Sequence, residues 1–261
     1  MYEILIELLK DKKGDIIFRC FADWHLLYLA IIIASIVALI VIFKKKSKET
    51  QFKLVDTTIT IGFILYMLDF FFMPFAYGEI DIEKLPFHLC TVSCVLCFMS
   101  NHNKFLSKYK AQLVLLSLIG NLIYLIYPAG VGWYAIHPLS YRVIQTLLYH
   151  GVMSAYGIFA LSFGYVKLEW KKCYKDVIFI TILMLWALLG NTLYNGLSSM
   201  GQEHKLFNWF FVVRDPFYLL PEGIAKYIMP FVIVLAIFTA DMIIYSVYSF
   251  AKKINEKKKL I

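Results

Sequence analysis

The residues best suited to chemistry are one cysteine and two histidines in otherwise apolar sequence. Cys90 ends the stretch LPFHLC, residues 85–90, two residues after His88, and His150 lies within a later apolar run. A cysteine thiolate is a nucleophile, and an imidazole within hydrogen-bond reach can be the base that generates it. The pattern therefore indicates a candidate nucleophile with two candidate bases.

The helical geometry expected around Cys90 separates the two histidines. Pro86 suits the first turn of a helix, which places Cys90 at the margin of the positive helix N-terminus. On that helix His88 is rotated by roughly 200° from Cys90 and faces away from it. His150, at a compatible depth in another span, is then the better base. The structural alternatives stay open: an inert buried thiol for Cys90 and an interhelical hydrogen bond for His150.

A metal site is a second possibility for the same segment. Cys90, Cys94 and Cys97 share one helical face, and His88 is close in sequence. No further cysteine pair or histidine pair completes a ligand set, so we expect helix packing, with no metal and no cofactor. The five cysteines, three of them in one apolar run, also argue against a disulfide framework.

The composition is that of a membrane protein. Hydrophobic residues make up 61% of the 261 residues, and the mean hydropathy is +0.69. Lysines flank the apolar runs, so the net charge of +8 reflects membrane topology and gives no reason to expect a nucleic acid. No removable signal peptide is visible, and residues 1–23 are expected to form an amphipathic segment at the membrane interface.

The apolar runs define the fold class and the domain organisation. We expect an all-α, polytopic membrane helical bundle of about seven transmembrane helices within residues 24–251, followed by a basic cytoplasmic tail at 252–261. The third expected span is short. The seven spans are residues 24–43, 54–77, 85–100, 109–127, 141–166, 176–195 and 222–250.

The basic residues predict the orientation. About two thirds of the 26 Lys and Arg residues fall on one side of this arrangement, the side that the positive-inside rule assigns to the cytoplasm. The N-terminus is then outside and the C-terminus inside. We expect a multi-pass protein of the cell membrane, and the Lys-, Ile- and Asn-rich composition favours a bacterial plasma membrane.

Polar residues within the spans mark a candidate functional site, because ionisable groups are costly in a membrane. Most of them converge on the outer half of the bilayer. Asp56 and Asp241 are exceptions near the inner surface, where we expect them to be solvated or paired with lysine. The outer set comprises Asp69, His88, Cys90, His150, Asn191, Tyr194, Asn195 and Glu222.

Several motifs resemble a known family. LPFHLC, the pair His150-Gly151, NTLYN at 191–195 and RDPFYLLP at 214–221 are similar to the YwaF-type bacterial integral membrane family, which is related to the transmembrane protein 164 family. The resemblance implies a membrane-embedded lipid acyltransferase that exchanges acyl chains between membrane phospholipids. It further implies Cys90 as the nucleophile that carries the acyl group, and His150 as its base.

Supporting roles follow as hypotheses from that implied activity. Asn191 and Asn195 would donate to an oxyanion or hold the lipid ester, His88 and Asp69 would orient His150 or the head group, and Arg214 would meet a phosphate. The alternative class is a non-enzymatic transporter or a lipid- or ligand-binding protein. The sequence shows no pair of matching interrupted spans, which weakens the transporter alternative. No protein partner is predicted.

Overall fold

Ten α-helices form the bundle in the part of the chain that the structure describes. The structure is a computed structural model and describes residues 2–12, 14–132, 135–197, 199 and 204–258. Short 3₁₀ turns lie at Ile82–Lys84, Trp170–Lys172 and Trp209–Phe211. The helices are α1 Tyr2–Leu9, α2 Asp23–Phe43, α3 Lys48–Tyr77, α4 Leu89–Ser100, α5 Lys104–Ser107, α6 Lys110–Ile126, α7 Ala129–Gly132, α8 Tyr141–Ser162, α9 Tyr174–Tyr194 and α10 Glu222–Lys258.

The expected polytopic helical membrane bundle is confirmed, with one difference at the third span. Six helical segments of the described chain are long and apolar enough to cross a membrane; they contain α2, α3, α6, α8, α9 and α10. The helix α4 has 12 residues. At 1.5 Å per residue it covers about 18 Å, less than the roughly 30 Å of a hydrocarbon core. The third expected span is therefore only partly helical.

Polar contacts join the helix ends that carry the lysine-rich segments, here called the basic end. Lys48 donates to the carbonyl of Phe163, which ties the start of α3 to the end of α8. Asp56 accepts from Asn101 and Tyr165, and Lys110 donates to the same two side chains. Asp56 is therefore held by an amide and a phenol, rather than by the expected solvent or direct lysine pair. The assignment of this end to the cytoplasm stays a prediction.

Small residues allow α8 to pack closely at the centre of the bundle, between α3 and α6. A side chain at Gly157 of α8 would meet Leu118 of α6, and one at Gly62 of α3 would meet Met153 of α8. Close approach through small residues is the usual way in which membrane helices gain contact area. The buried core consequently lies along α6 and α8, and these two helices carry the central polar residues.

The chain termini extend the bundle at its two ends. The segment after α1 reaches the start of α8, where Asp11 pairs with Arg142 at 3.1 Å and the Lys12 amide donates to Ser140. At the other terminus α10 continues to Lys258, so most of the expected basic tail is helical. The division into an interfacial segment, a membrane domain and a tail stays a prediction.

Candidate functional site

The segment between α3 and α4 re-enters the bundle without forming an α-helix. Gly78 ends α3 in the left-handed conformation, and the chain then descends until Lys84 lies beside Tyr66 and Asp69 of α3. Asp69 lies nine residues before Gly78, so the descent is roughly 13 Å. Residues 79–88 therefore bring the start of α4 into the bundle, well below the end of α3.

Side chains of the surrounding helices satisfy the backbone of this re-entrant segment. Tyr66 donates to the carbonyl of Lys84, Trp209 to that of Glu83 and Trp186 to that of Pro86, at 2.8–3.2 Å. Non-helical backbone is tolerated at membrane depth only where protein or water supplies such partners. The three aromatic donors thereby fix the approach to the LPFHLC stretch.

An ion pair anchors the same segment. Lys84 Nζ lies 2.6 Å from Oδ2 of Asp69, whose side chain is only 6% exposed. Tyr141 of α8 lies beside the same carboxylate. Asp69 belongs to the expected outer set, whereas Lys84 does not. The presence of Asp69 in an apolar span indicates that a cation lies near it, because an unpaired charge is costly in a membrane.

Cys90 lies closer to the helix N-terminus than the sequence suggested. His88 is the N-cap of α4 and Leu89 its first residue, so Pro86 lies outside the helix and Cys90 is its second residue. The first N–H groups of a helix have no intrahelical acceptor, and they carry the positive end of its dipole. The N–H groups of Cys90 and Thr91 lie beside the Cys90 thiol. The half-buried thiol thus lies at the N-terminus of α4, where free backbone N–H groups can donate to a negative charge that develops beside the sulfur.

His150 is buried and has a fixed ring orientation. Its Nδ1 lies 2.7 Å from Oδ1 of Asn121 on α6, and the Asn121 amide nitrogen donates to the carbonyl of Ser117. Because that bond assigns the amide nitrogen, Oδ1 must accept a hydrogen bond from Nδ1–H of His150. The tautomer leaves the lone pair on Nε2. Tyr124 stacks on the ring, with centroids 3.9 Å apart.

Tyr149 connects His150 to Cys90. Its hydroxyl donates to the carbonyl of Cys90 at 2.9 Å, which places this part of α8 against the first turn of α4. His150 makes no hydrogen bond to Cys90 in this structure. Tyr149 therefore packs against the Cys90 backbone, and the candidate base His150 is the next residue of α8, with its lone pair on the nitrogen that Asn121 does not occupy.

His88 has a different role in the structure. Its Nδ1 accepts from the amide of Phe210 at 3.3 Å, and its ring contacts Phe211. Phe210 and Phe211 adopt φ values of 62° and 54°, which non-glycine residues rarely do. His88 thus helps to hold a strained turn of the loop before α10, and it makes no hydrogen bond to Cys90.

The polar end of α9 holds the same loop. Both ends of the Asn191 amide bond the main chain of Trp209, at 2.9 and 3.1 Å, and Asn195 accepts from the amide of Phe207 at 2.7 Å. Tyr194 packs against Phe87 and Trp209. These contacts assign the two asparagines to loop positioning. A role of the two asparagines toward a substrate oxyanion or a lipid ester stays a prediction.

Arg214 borders a polar cavity in this loop region. The cavity, of about 320 Å³, is lined by Asn195, Arg214 and Lys226 together with apolar side chains. The Arg214 guanidinium donates to the carbonyl of Leu206, and Lys226 is exposed. The backbone of Glu222 begins α10, but its side chain lies outside the described part of the structure.

The remaining cysteines of α4 are packing residues. Cys94 and Cys97 are buried in the core that α3, α6 and α8 form with α4. Within residues 2–12, 14–132, 135–197, 199 and 204–258, no three His, Cys, Asp or Glu side chains lie close enough to hold a metal. The shared face of the three cysteines is therefore explained by helix packing.

Comparison with known proteins adds one result to this geometry. The model of the TMEM164 family matches residues 20–248. The chain belongs to the TMEM164 family. The match begins just before α2 and ends within α10, so it includes the re-entrant segment, Cys90 and His150. It confirms the expected relation to the TMEM164 family, while the YwaF-type resemblance stays a prediction. No curated protein matches the chain, and no solved structure does.

Sequence reasoning missed three residues around His150 in this TMEM164 family member. They are Asn121 and Tyr124 on α6 and Tyr149 on α8. Asn121 had a detectable signal, because it is a polar residue in the middle of an apolar span, as in LIGNLIY. Tyr124 and Tyr149 had no comparable sequence signal, because tyrosines occur throughout this sequence.

Proposed function

We propose that this membrane protein transfers fatty acyl chains between phospholipids through an acyl-cysteine on Cys90. The observation that carries the proposal is the state of His150: its Nδ1–H donates to Asn121, and the preceding residue, Tyr149, donates to the Cys90 carbonyl. A histidine oriented by an amide, on a helix that packs against a cysteine at a helix N-terminus, supports cysteine acyl-transfer chemistry.

In the first half-reaction, Nε2 of His150 takes the thiol proton, directly or through one water. The Cys90 sulfur attacks the carbonyl carbon of a phospholipid acyl ester that enters from the membrane, and a C–S bond forms. The N–H groups of Cys90 and Thr91 stabilise the oxyanion. The ester C–O bond then breaks, and the leaving lysophospholipid oxygen takes the proton from His150.

In the second half-reaction, a lysophospholipid hydroxyl attacks the thioester. His150 takes the hydroxyl proton, a C–O bond forms and the C–S bond breaks. The thiolate of Cys90 then recovers its proton from the imidazolium. Each half-reaction returns the base to its starting form, and the acyl-enzyme that links the two half-reactions gives ping-pong kinetics. Arg214 and Lys226, which line the cavity beside α10, would bind the phosphate of a head group.

Intact-mass analysis after incubation with mixed phospholipids tests the proposal. Wild type and Cys94→Ala are expected to gain a hydroxylamine-sensitive acyl adduct, whereas Cys90→Ala is not. Cys94 is the matched control, because it lies one turn further along the same helix and is buried. An adduct that persists in Cys90→Ala contradicts the mechanism. A folded wild type with no adduct in any lipid favours a transporter or lipid-binding protein instead.

A further inference from the structure

Two carboxylic acids are buried between helices at the opposite end of the bundle from the re-entrant segment. Asp176 is the third residue of α9, at the basic end, and Asp241 lies near the middle of α10. Both residues are 0% exposed. The expectation that Asp241 is solvated or paired with lysine is therefore wrong, because α10 turns this side chain toward α9 and not toward its own lysines.

The two acids are only partly satisfied by protein groups. Tyr245 donates to Oδ2 of Asp176 at 2.8 Å, and the Gln112 side chain of α6 lies beside the same carboxyl. Among the described residues, nothing bonds Oδ1 of Asp176 or either oxygen of Asp241. Asp241 and Asp176 are close enough to repel each other when both are charged. The carboxyl of Asp241, which has no hydrogen-bond partner among the described residues, thus lies near Asp176.

No described cation neutralises the pair. Lys110 of α6 donates to Asn101 and Tyr165, and the ammonium of Lys175 lies over the Tyr109 ring. The Tyr245 hydroxyl of α10 faces the pair as a donor to Asp176, and the Cys173 thiol, just before α9, lies near Tyr245. The pair must therefore be neutralised by something other than a basic side chain.

Two unpaired carboxylates in a low-dielectric interior are too costly to coexist. A bound metal ion would need more ligands than this pair, since no three His, Cys, Asp or Glu side chains cluster in the described chain. A proton needs only one oxygen. We propose that Asp176 and Asp241 form a proton-binding site between α9 and α10.

Asp241 carries the proton. The Tyr245 hydroxyl stabilises the ionised form of Asp176, whereas Asp241 has no donor that would stabilise its charge. Loss of the proton would place two like charges between α9 and α10, close to the point where Trp170, in the turn before α9, donates to Ser249 of α10 at 2.9 Å. Occupancy of the site is thereby coupled to the packing of α10 against the rest of the bundle.

Infrared spectroscopy of the full-length protein tests this proposal. At pH 7, wild type is expected to show the C=O stretch of a protonated carboxylic acid, shifted by D₂O. The band should be absent from Asp241→Asn and unchanged in Asp15→Asn, where the carboxyl is exposed. A wild-type spectrum without the band, or a band that survives in Asp241→Asn, would overturn the proposal.

Two further measurements cover an Asp241→Asn protein that does not fold. Tyr245→Phe removes the donor to Asp176, so the acid band should gain intensity; an unchanged spectrum would contradict the coupling of the pair. In wild type, exchange of sodium for choline at constant ionic strength should leave the band unaltered. A band that sodium abolishes would identify a metal cation, and not a proton, as the ligand.

Discussion

His150 Nδ1 and Asn121 Oδ1 lie 2.7 Å apart, between the two most central helices of the bundle. The contact sets the imidazole tautomer, because the other end of the amide is engaged by the Ser117 carbonyl. A histidine held in this way presents Nε2 as a base to whatever binds beside it. Asn121 is accordingly a positioning residue in the proposed acyl transfer, and it can be tested separately from Cys90 and His150.

Asn121→Asp is expected to change the pH dependence of acyl transfer. A carboxylate at this position stabilises the protonated imidazole, so less free base is available near pH 7. The acid limb of the rate–pH profile should move to higher pH, with activity recovered in alkaline solution. Steady-state rates over a pH series measure the shift. His150→Ala should instead reduce acyl-cysteine formation by about 10²–10⁴-fold at every pH. An Asn121→Asp profile that overlays wild type would rule out the positioning role.

Lys84→Met should destabilise the protein by about 3 kcal/mol, because it leaves the buried Asp69 carboxylate without its partner. This loss of stability is at the low end of the range expected when a buried ion pair is broken, because the Lys84 side chain is 27% exposed. Thermal unfolding in detergent measures the loss. Lys172→Met is the control: its pair with Glu169 is exposed to solvent, and its removal should leave the unfolding temperature nearly unchanged.

The double variant Lys84→Met with Asp69→Asn separates charge from packing. It removes the stranded carboxylate, so it should recover much of the stability lost in Lys84→Met. Equal unfolding temperatures for the single and double variants would show that the ion pair is not what anchors the re-entrant segment.

Gly190→Ala should disturb the LPFHLC stretch from α9. A methyl group at this position would lie 2.5 Å from the ring of Phe87, which is itself packed against Trp186 and Trp209. Because the ring cannot move away easily, we expect a loss of about 1–3 kcal/mol and a lower acyl-cysteine yield. Gly223→Ala has open space and should be neutral or stabilising. Equal behaviour of the two variants in unfolding and adduct assays would contradict the predicted clash.

Asp215 should make the order of the loop before α10 depend on pH. Its carboxylate accepts from the amides of Phe217, Leu219 and Leu220, and these bonds hold the pKa of Asp215 below its ordinary value of 3.8. A lowered pKa means that the stabilisation is complete above that ordinary value and is lost as the pH falls through the folded-state pKa.

Hydrogen exchange of these three amides, followed from pH 6 to pH 3 with correction for intrinsic rates, measures the effect. Protection should fall at the acid end in wild type. Asp215→Asn should have weaker protection and little change with pH. Wild-type protection that stays constant to pH 3 would contradict the role of the carboxylate.

The sequence determined which segments are apolar enough to lie in the membrane and which residues are the candidates for chemistry. Runs of about 20 apolar residues must be helical in lipid, because each backbone group then has a partner within its own segment. This reasoning predicts the six long helices. The LPFHLC stretch and the pair His150-Gly151 likewise identify the family and the candidate nucleophile and base without any coordinates.

Contacts between distant segments were decided only by the tertiary structure. Residues 79–88 lie inside the bundle outside any α-helix, and side chains far apart in sequence, Tyr66, Trp186 and Trp209, supply hydrogen bonds to their carbonyls. The orientation of His88 depends in the same way on the strained turn at Phe210.

Asn121 and Asp241 show the same limit of prediction from sequence, which does not give the contacts between helices. Apolar periodicity places Asn121 on a helix but not beside His150, and it places Asp241 near the basic end but not facing Asp176. Hydropathy measures the transfer of each segment into lipid, which is a local property. The pairing of polar groups depends on which helix faces meet, and that is decided when small residues such as Gly157 allow the helices to pack.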